Sequence, residues 1–230
     1  MAFRSPSIRI RGPRPGGARG TAVELVFGSV LLALAGLGGL FFVRRPWPDH
    51  IDALGYRLLP ANDGSAWAHD LTRVGSVSGV LIGVVVLTVV GVTRDWVRAL
   101  VCAVAPIGAV LVVDHVAKPL IGRHIGSAVG SYPSGTVTAV AALATGAVLV
   151  APRVLKAATT VLAAALVVGI GAAVVVLRWH YPTDALGGAC VGIGAVLFLD
   201  ALAHLPWVIG ERSGSVGKAR FREQRSARWT

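Results

Sequence analysis

Leu25 to Val43 is an unbroken run of 19 residues without a charge, enough helix to cross a bilayer. Further apolar runs follow at Val74–Thr93, Ala99–Ala117, Thr136–Ala151, Ala157–Leu177 and Ala185 to about Leu202. Only 14% of the residues are charged and 54% are hydrophobic, whereas a soluble domain runs near 25% charged. The pattern predicts an all-α integral membrane bundle of six transmembrane helices over residues 23–207. A basic, disordered tail at 1–22 precedes it and a basic tail at 208–230 follows. The first run is too long for the apolar segment of a signal peptide and leaves through Phe42-Val43-Arg44-Arg45, with no small-residue cleavage site; it reads as an anchor. Between the first two runs, Asp49–Leu59 is bracketed by prolines and predicts a short helix lying on the membrane.

Charge sets the orientation. With six spans both termini share a side, and that side takes 15 of the 22 basic residues, including the two tails, Arg94, Arg98, Arg153 and Lys156. The other seven are Arg44, Arg45, Arg57, Arg73, Lys118, Arg123 and Arg178. The positive-inside rule then puts both ends in the cytoplasm, and a bacterial plasma membrane is the expected location. The net charge of +11 is an attribute of the tails, where it suits anionic headgroups, and no nucleic-acid-binding motif accompanies it. Cys102 and Cys190 lie inside apolar runs without a CxxC neighbour, which fits buried packing rather than a disulfide or zinc framework. Gly188 and Gly192 form a GxxxG suited to close helix contact. The chain has no internal repeat.

Two polar interruptions fall on the outward side. The first, Lys118–Thr136, reads KPLIGRHIGSAVGSYPSGT and ends where an apolar helix begins. Free N–H groups and the positive dipole end at Ser134-Gly135-Thr136 favour an anion, and Lys118 and Arg123 have the charge to close on it. The second, Arg178-Trp179-His180-Tyr181-Pro182-Thr183-Asp184, holds a histidine four residues before an aspartate. A neutral imidazole is a competent nucleophile toward phosphorus, and a carboxylate on its other nitrogen fixes the tautomer and steadies the cation. Each loop alone has a blander explanation: Ser134, Thr183 or Asp184 as helix caps, and basic side chains snorkelling at the boundary.

Taken together, Lys118, Arg123, Pro133-Ser134-Gly135, His180 and Asp184 resemble the type 2 phosphatidic acid phosphatase (PAP2) family. Its pattern is K-x6-R-P, then P-S-G-H, then S-R-x5-H-x3-D. The resemblance implies a metal- and cofactor-free lipid phosphatase. His180 would attack the phosphate with support from Asp184, and Lys118, Arg123, Ser134, Gly135 and Arg178 would hold the phosphate oxygens. The match has gaps. Ile125 stands in place of the first family arginine and Arg123 is its nearest substitute. Thr136 replaces the acid histidine, with His124 as a displaced candidate, and Ala173-Val174 replace Ser-Arg. Asp114 and Lys118 form an i,i+4 pair that either orients the lysine or is a buried ion pair near the helix end. Asp200 has no role readable from sequence.

The expected substrate is a phospholipid or polyprenyl phosphate or diphosphate from the bilayer, with the diphosphate preferred because Thr136 is no acid. The rival is a catalytically silent relative that binds phosphorylated lipids or a membrane partner. A small transporter ranks lower, since there are no paired discontinuous helices. His115, His124, His180, Asp114 and Asp184 match no standard metal-ligand spacing.

Overall fold

The computed structural model describes residues 17–226 except 44, 46 and 127. Nine helices carry the described chain: α1 (Gly17–Phe42), α2 (His50–Leu58), α3 (Ala66–Thr72), α4 (Val77–Val92), α5 (Trp96–Val112), α6 (Lys118–Ile121), α7 (Gly135–Val150), α8 (Lys156–Val176) and α9 (Pro182–Ser226). A two-residue-per-strand hairpin, β1 (His124–Ile125) with β2 (Ala128–Val129), is the one sheet among the described residues.

The architecture is the all-helical one expected, and the count of six spans is not confirmed by helix length and composition. Four helical stretches are long and apolar enough to cross a membrane: Gly17–Phe42, Trp96–Ile121, Arg153–Val176 and Pro182–Trp207. Ala66–Gly75 and Val77–Val92 supply a fifth if that pair, bent by 53°, is one span. α7 has 16 residues, about 24 Å at 1.5 Å per residue, against about 30 Å of hydrocarbon. By length and composition, four to five stretches therefore qualify as spans.

The ends also differ from expectation. α1 begins at Gly17, so residues 17–22 are helical, while 1–16 lie outside the described residues. α9 runs on past Pro206 to Ser226, into the segment read as a tail. The short helix after α1 is present. Asp49 caps α2 by accepting the Asp52 N–H, and Asp52 returns a bond to the cap backbone.

α7 is the centre of the bundle. Eleven of its residues are buried, and it packs against α4, α5, α8 and α9. Small residues let it sit there. A Cβ added at Gly188 would lie 2.5 Å from the Ser134 carbonyl oxygen, and one at Gly192 would lie 2.4 Å from that of Thr138. No side chain fits between these backbones, so the GxxxG fixes the α7–α9 approach. That approach brings the start of α7 beside the start of α9, where both polar loops lie.

Candidate active site

The two loops touch. The Ser134 N–H donates to the Asp184 carbonyl at 3.0 Å, and His180 Nδ1 donates to the Ser131 carbonyl at 2.8 Å. The second contact fixes the imidazole. A carbonyl can only accept, so Nδ1 carries the proton and Nε2 of the neutral ring keeps its lone pair. Sequence reasoning gave the tautomer-fixing role to Asp184. The structure gives it to the Ser131 carbonyl, with Asp184 Oδ2 3.7 Å from the same nitrogen, near enough to steady a cation but too far for a hydrogen bond.

His180 lines a cavity of about 310 Å³ together with Asp114, Lys118, Gly135 and Thr136. Their convergence has local causes. α5 passes through a π-turn at Val113–Ala117, a distortion common at functional sites, and α6 stops at Gly122 in the left-handed conformation (φ 63°). Across the junction of the π-turn and α6, Lys118 Nζ meets Asp114 Oδ1 at 2.7 Å. Both lie over the start of α7: a Cβ at Gly135 would stand 3.2 Å from Asp114 Oδ1 and 3.6 Å from Lys118 Nζ. Ser134 caps α7 by accepting from the Val137 N–H, and its carbonyl takes the Thr138 N–H. Helix geometry gives the N–H groups of Gly135 and Thr136 no carbonyl one turn back, and both residues border the cavity. The remaining wall is apolar, with Val77, Leu81, Val110 and Leu111 among its members.

Arg123 is not in this cavity. Its side chain is 0% exposed. Nη1 donates to Asp184 Oδ1 and to Thr183 Oγ1, Nη2 donates to Asp52 Oδ2, and the guanidinium is sandwiched between the rings of Phe42 (3.7 Å) and Tyr181 (4.4 Å). Two buried carboxylates hold it there, away from the cavity lining. Asp52 was missed. It is fully buried, accepts the Thr183 N–H at 3.0 Å and the Thr183 hydroxyl at 2.7 Å, and so ties α2 to the start of α9. Asp184 accepts the Tyr181 N–H at 2.9 Å as well, which closes the turn that carries His180.

Arg178 also stands outside the cavity lining. It adopts φ 56°, unusual for a residue with a Cβ, and its guanidinium stacks on Tyr56 at 3.7 Å with Nη1 buried and without a hydrogen-bond partner. Tyr56 donates to the His180 carbonyl at 3.5 Å. Burial, and after it the neighbouring Tyr181, push the Tyr56 phenol up to about 12, so it stays protonated and acts as a donor. His124 sits in β1 and does not border the cavity. Ala173 and Val174 are buried in α8, and the Val174 carbonyl accepts from the N–H groups of Trp179 and His180.

A second polar cluster joins α5 and α9 away from this site. Arg98 Nε lies 3.5 Å from Asp200 Oδ2, His204 Nε2 lies 3.1 Å from Asp95 Oδ2, and Asp200 is fully buried. Asp200 thus has a structural partner set. Among the described residues, no group of three or more His, Cys, Asp or Glu is placed to hold a metal ion.

No curated protein and no solved structure matches the chain. A family model described as the PAP2 superfamily matches residues 26–203, more than three quarters of the 230. The match takes in the loop with Lys118, Ser134 and Gly135, the loop with His180 and Asp184, and the helices that bring them together. It supports a phosphatase-type hydrolase in general. The chain belongs to the PAP2 superfamily.

Proposed function

We propose that the protein is a membrane phosphatase that hydrolyses a lipid phosphate, and preferentially a lipid diphosphate of the polyprenyl kind, through a phosphohistidine at His180. One observation carries the reading. The imidazole whose tautomer is set by Ser131 shares a cavity with Lys118 and the α7 N-terminus, and that cavity continues into an apolar wall. A polar end that suits phosphate and an apolar end that suits a tail describe a lipid phosphate better than a soluble one. Lys118 and the Gly135 and Thr136 N–H groups hold the phosphate oxygens. His180 Nε2 attacks phosphorus, the bond to the leaving oxygen breaks, and Asp184 at 3.7 Å steadies the imidazolium. Water then attacks the phosphohistidine and returns the electron pair to Nε2.

The diphosphate preference follows from Thr136. An alkoxide leaving group, for which water's pKa of about 15.7 is a guide, needs a proton as it departs, and a hydroxyl is too weak an acid to give one. A lipid diphosphate expels a phosphomonoester, whose second pKa is about 6. With α7 and the bent pair of Ala66–Gly75 with Val77–Val92 both counted as spans, the charge bias of the chain supports a site on the outer face with both termini in the cytoplasm, and the expected location is a bacterial plasma membrane.

A silent relative that binds phosphorylated lipid is the second reading. It is favoured by Lys118 being, among the described residues, the one Lys or Arg that borders the cavity, already paired with Asp114. Phosphate release by purified protein from a panel of lipid mono- and diphosphates decides between them. The phosphatase reading expects release that His180→Ala abolishes. Binding of the same lipids without release supports the silent relative.

A further inference from the structure

The charges at the site do not add up to a cation. Lys118 is met by Asp114, and Arg123 is met by both Asp52 and Asp184. A phosphate dianion placed beside Lys118 also comes close to the Asp114 carboxylate, which repels it unless that carboxyl holds a proton. The groups that face Asp114 across the cavity are few. Lys118 comes from its own helix and His180 from the loop before α9, while α4 and α7 offer only apolar residues, glycine and Thr136.

Position along the stretch from α5 through the π-turn to α6 says what such a proton is for. Ile107, Val110, Leu111, Asp114 and Lys118 all border the cavity, so this stretch turns one side to it. Read along that side, the apolar wall comes first, then the carboxyl, then the ammonium. With the phosphate at Lys118 and His180 and the tail against Ile107–Leu111, Asp114 stands at the junction, where the bridging oxygen joins phosphorus to the tail. It also lies over Gly135, one residue from Thr136, and His124 is not in the cavity.

We propose that Asp114 is the proton carrier of this site, handing its proton to the leaving oxygen of a lipid monophosphate, and that it thereby sets which lipid phosphates are turned over. The inference rests on the phosphatase reading above. In the first step the bond from His180 Nε2 to phosphorus forms, the bond to the bridging oxygen breaks, and the Asp114 proton goes to that oxygen, releasing the lipid alcohol. In the second, water attacks the phosphohistidine, its proton returns to the Asp114 carboxylate, and the P–N electron pair returns to Nε2. Protonation also releases Lys118 from its partner to the phosphate. A diphosphate loses a lipid monophosphate as its leaving group and does without the proton, so the carboxyl matters to the monophosphate and far less to the diphosphate.

The test compares the isoprenyl monophosphate and diphosphate of one tail length, with full-length protein in lipid vesicles at one fixed pH. The readout is the kcat for each substrate. Asp114→Asn should lower the monophosphate kcat about 100-fold, within the range of general acid catalysis. It should lower the diphosphate kcat far less. Asp114→Glu, which keeps a carboxyl, should restore most of the monophosphate rate. Equal loss on both substrates in Asp114→Asn would reduce Asp114 to a prop for Lys118 and overturn the proposal. A monophosphate rate unchanged in Asp114→Asn would overturn it too. Failure of the underlying reading is separate and visible: neither substrate is turned over by the wild type, or His180→Ala keeps its activity, and the proposal falls with it.

Discussion

Arg123→Met separates a buried structural arginine from a phosphate clamp. In the native site the guanidinium neutralises two fully buried carboxylates and donates to Thr183. Methionine keeps an apolar body between Phe42 and Tyr181 and removes every one of those bonds. Breaking a buried ion pair by deleting one partner costs about 3–5 kcal/mol, and the two ring contacts add about 0.5–2 kcal/mol each if they are desolvated. Part of that is returned by methionine packing, so the expected loss is about 3–5 kcal/mol, two to nearly four decades in the folding constant at about 1.36 kcal/mol per decade. Unfolding in mixed micelles, followed by tryptophan fluorescence, measures it. Asp52→Asn in the same assay should be milder, about 1–3 kcal/mol, because an amide oxygen can still accept from Thr183. The two losses should be non-additive, as for groups in one network. An Arg123→Met protein with wild-type stability and a raised KM would refute the argument, since that is what loss of a phosphate ligand looks like.

Three further outcomes are expected. Gly188→Ala or Gly192→Ala drives a methyl into a backbone carbonyl at 2.5 or 2.4 Å and should cost about 1–3 kcal/mol; unchanged stability in both would mean α7 and α9 do not approach as described. In a background lacking Cys102 and Cys190, a cysteine at Ala61 should react with an impermeant reagent on intact cells and one at Val154 should not; the reverse result would invert the orientation. Thr136→His should raise monophosphate turnover more than diphosphate turnover. Thr136 Cγ2 crowds Gly75, so the new imidazole has to turn into the cavity, and equal wild-type rates that neither substrate improves on would sink the leaving-group argument.

The parts of this site that were legible in the sequence are those fixed by short spacing. Ser134 at the head of an apolar helix, His180 four residues before Asp184, and Lys118 four after Asp114 each lie within one or two turns, and the structure places them at one end of the bundle. The partners of Arg123 are 61 and 71 residues away, beyond what local spacing reveals. Nothing local distinguishes an arginine committed to buried carboxylates from one open to a ligand. A signal did exist in Asp52: it completes the Asp49 capping box, and on an otherwise interfacial helix its burial is visible only once Thr183 and Arg123 reach it. Asp200 is similar, an acid within a span whose partners Arg98 and His204 come from α5 and from one turn further along α9. The count of six spans is left unconfirmed at α7, which is apolar but short; a helix surrounded by four others is held by their side chains as well as by lipid.

The central claim is a covalent intermediate on His180, and rapid quenching tests it most directly. Purified protein mixed with a lipid diphosphate labelled in its terminal phosphate should show protein-bound label within the first turnover. The label should be stable to base, lost in acid, and confined to the peptide that contains His180. His180→Gln should show neither label nor phosphate release. Steady release of phosphate by the wild type with no protein-bound label, and release retained in His180→Gln, would contradict the account.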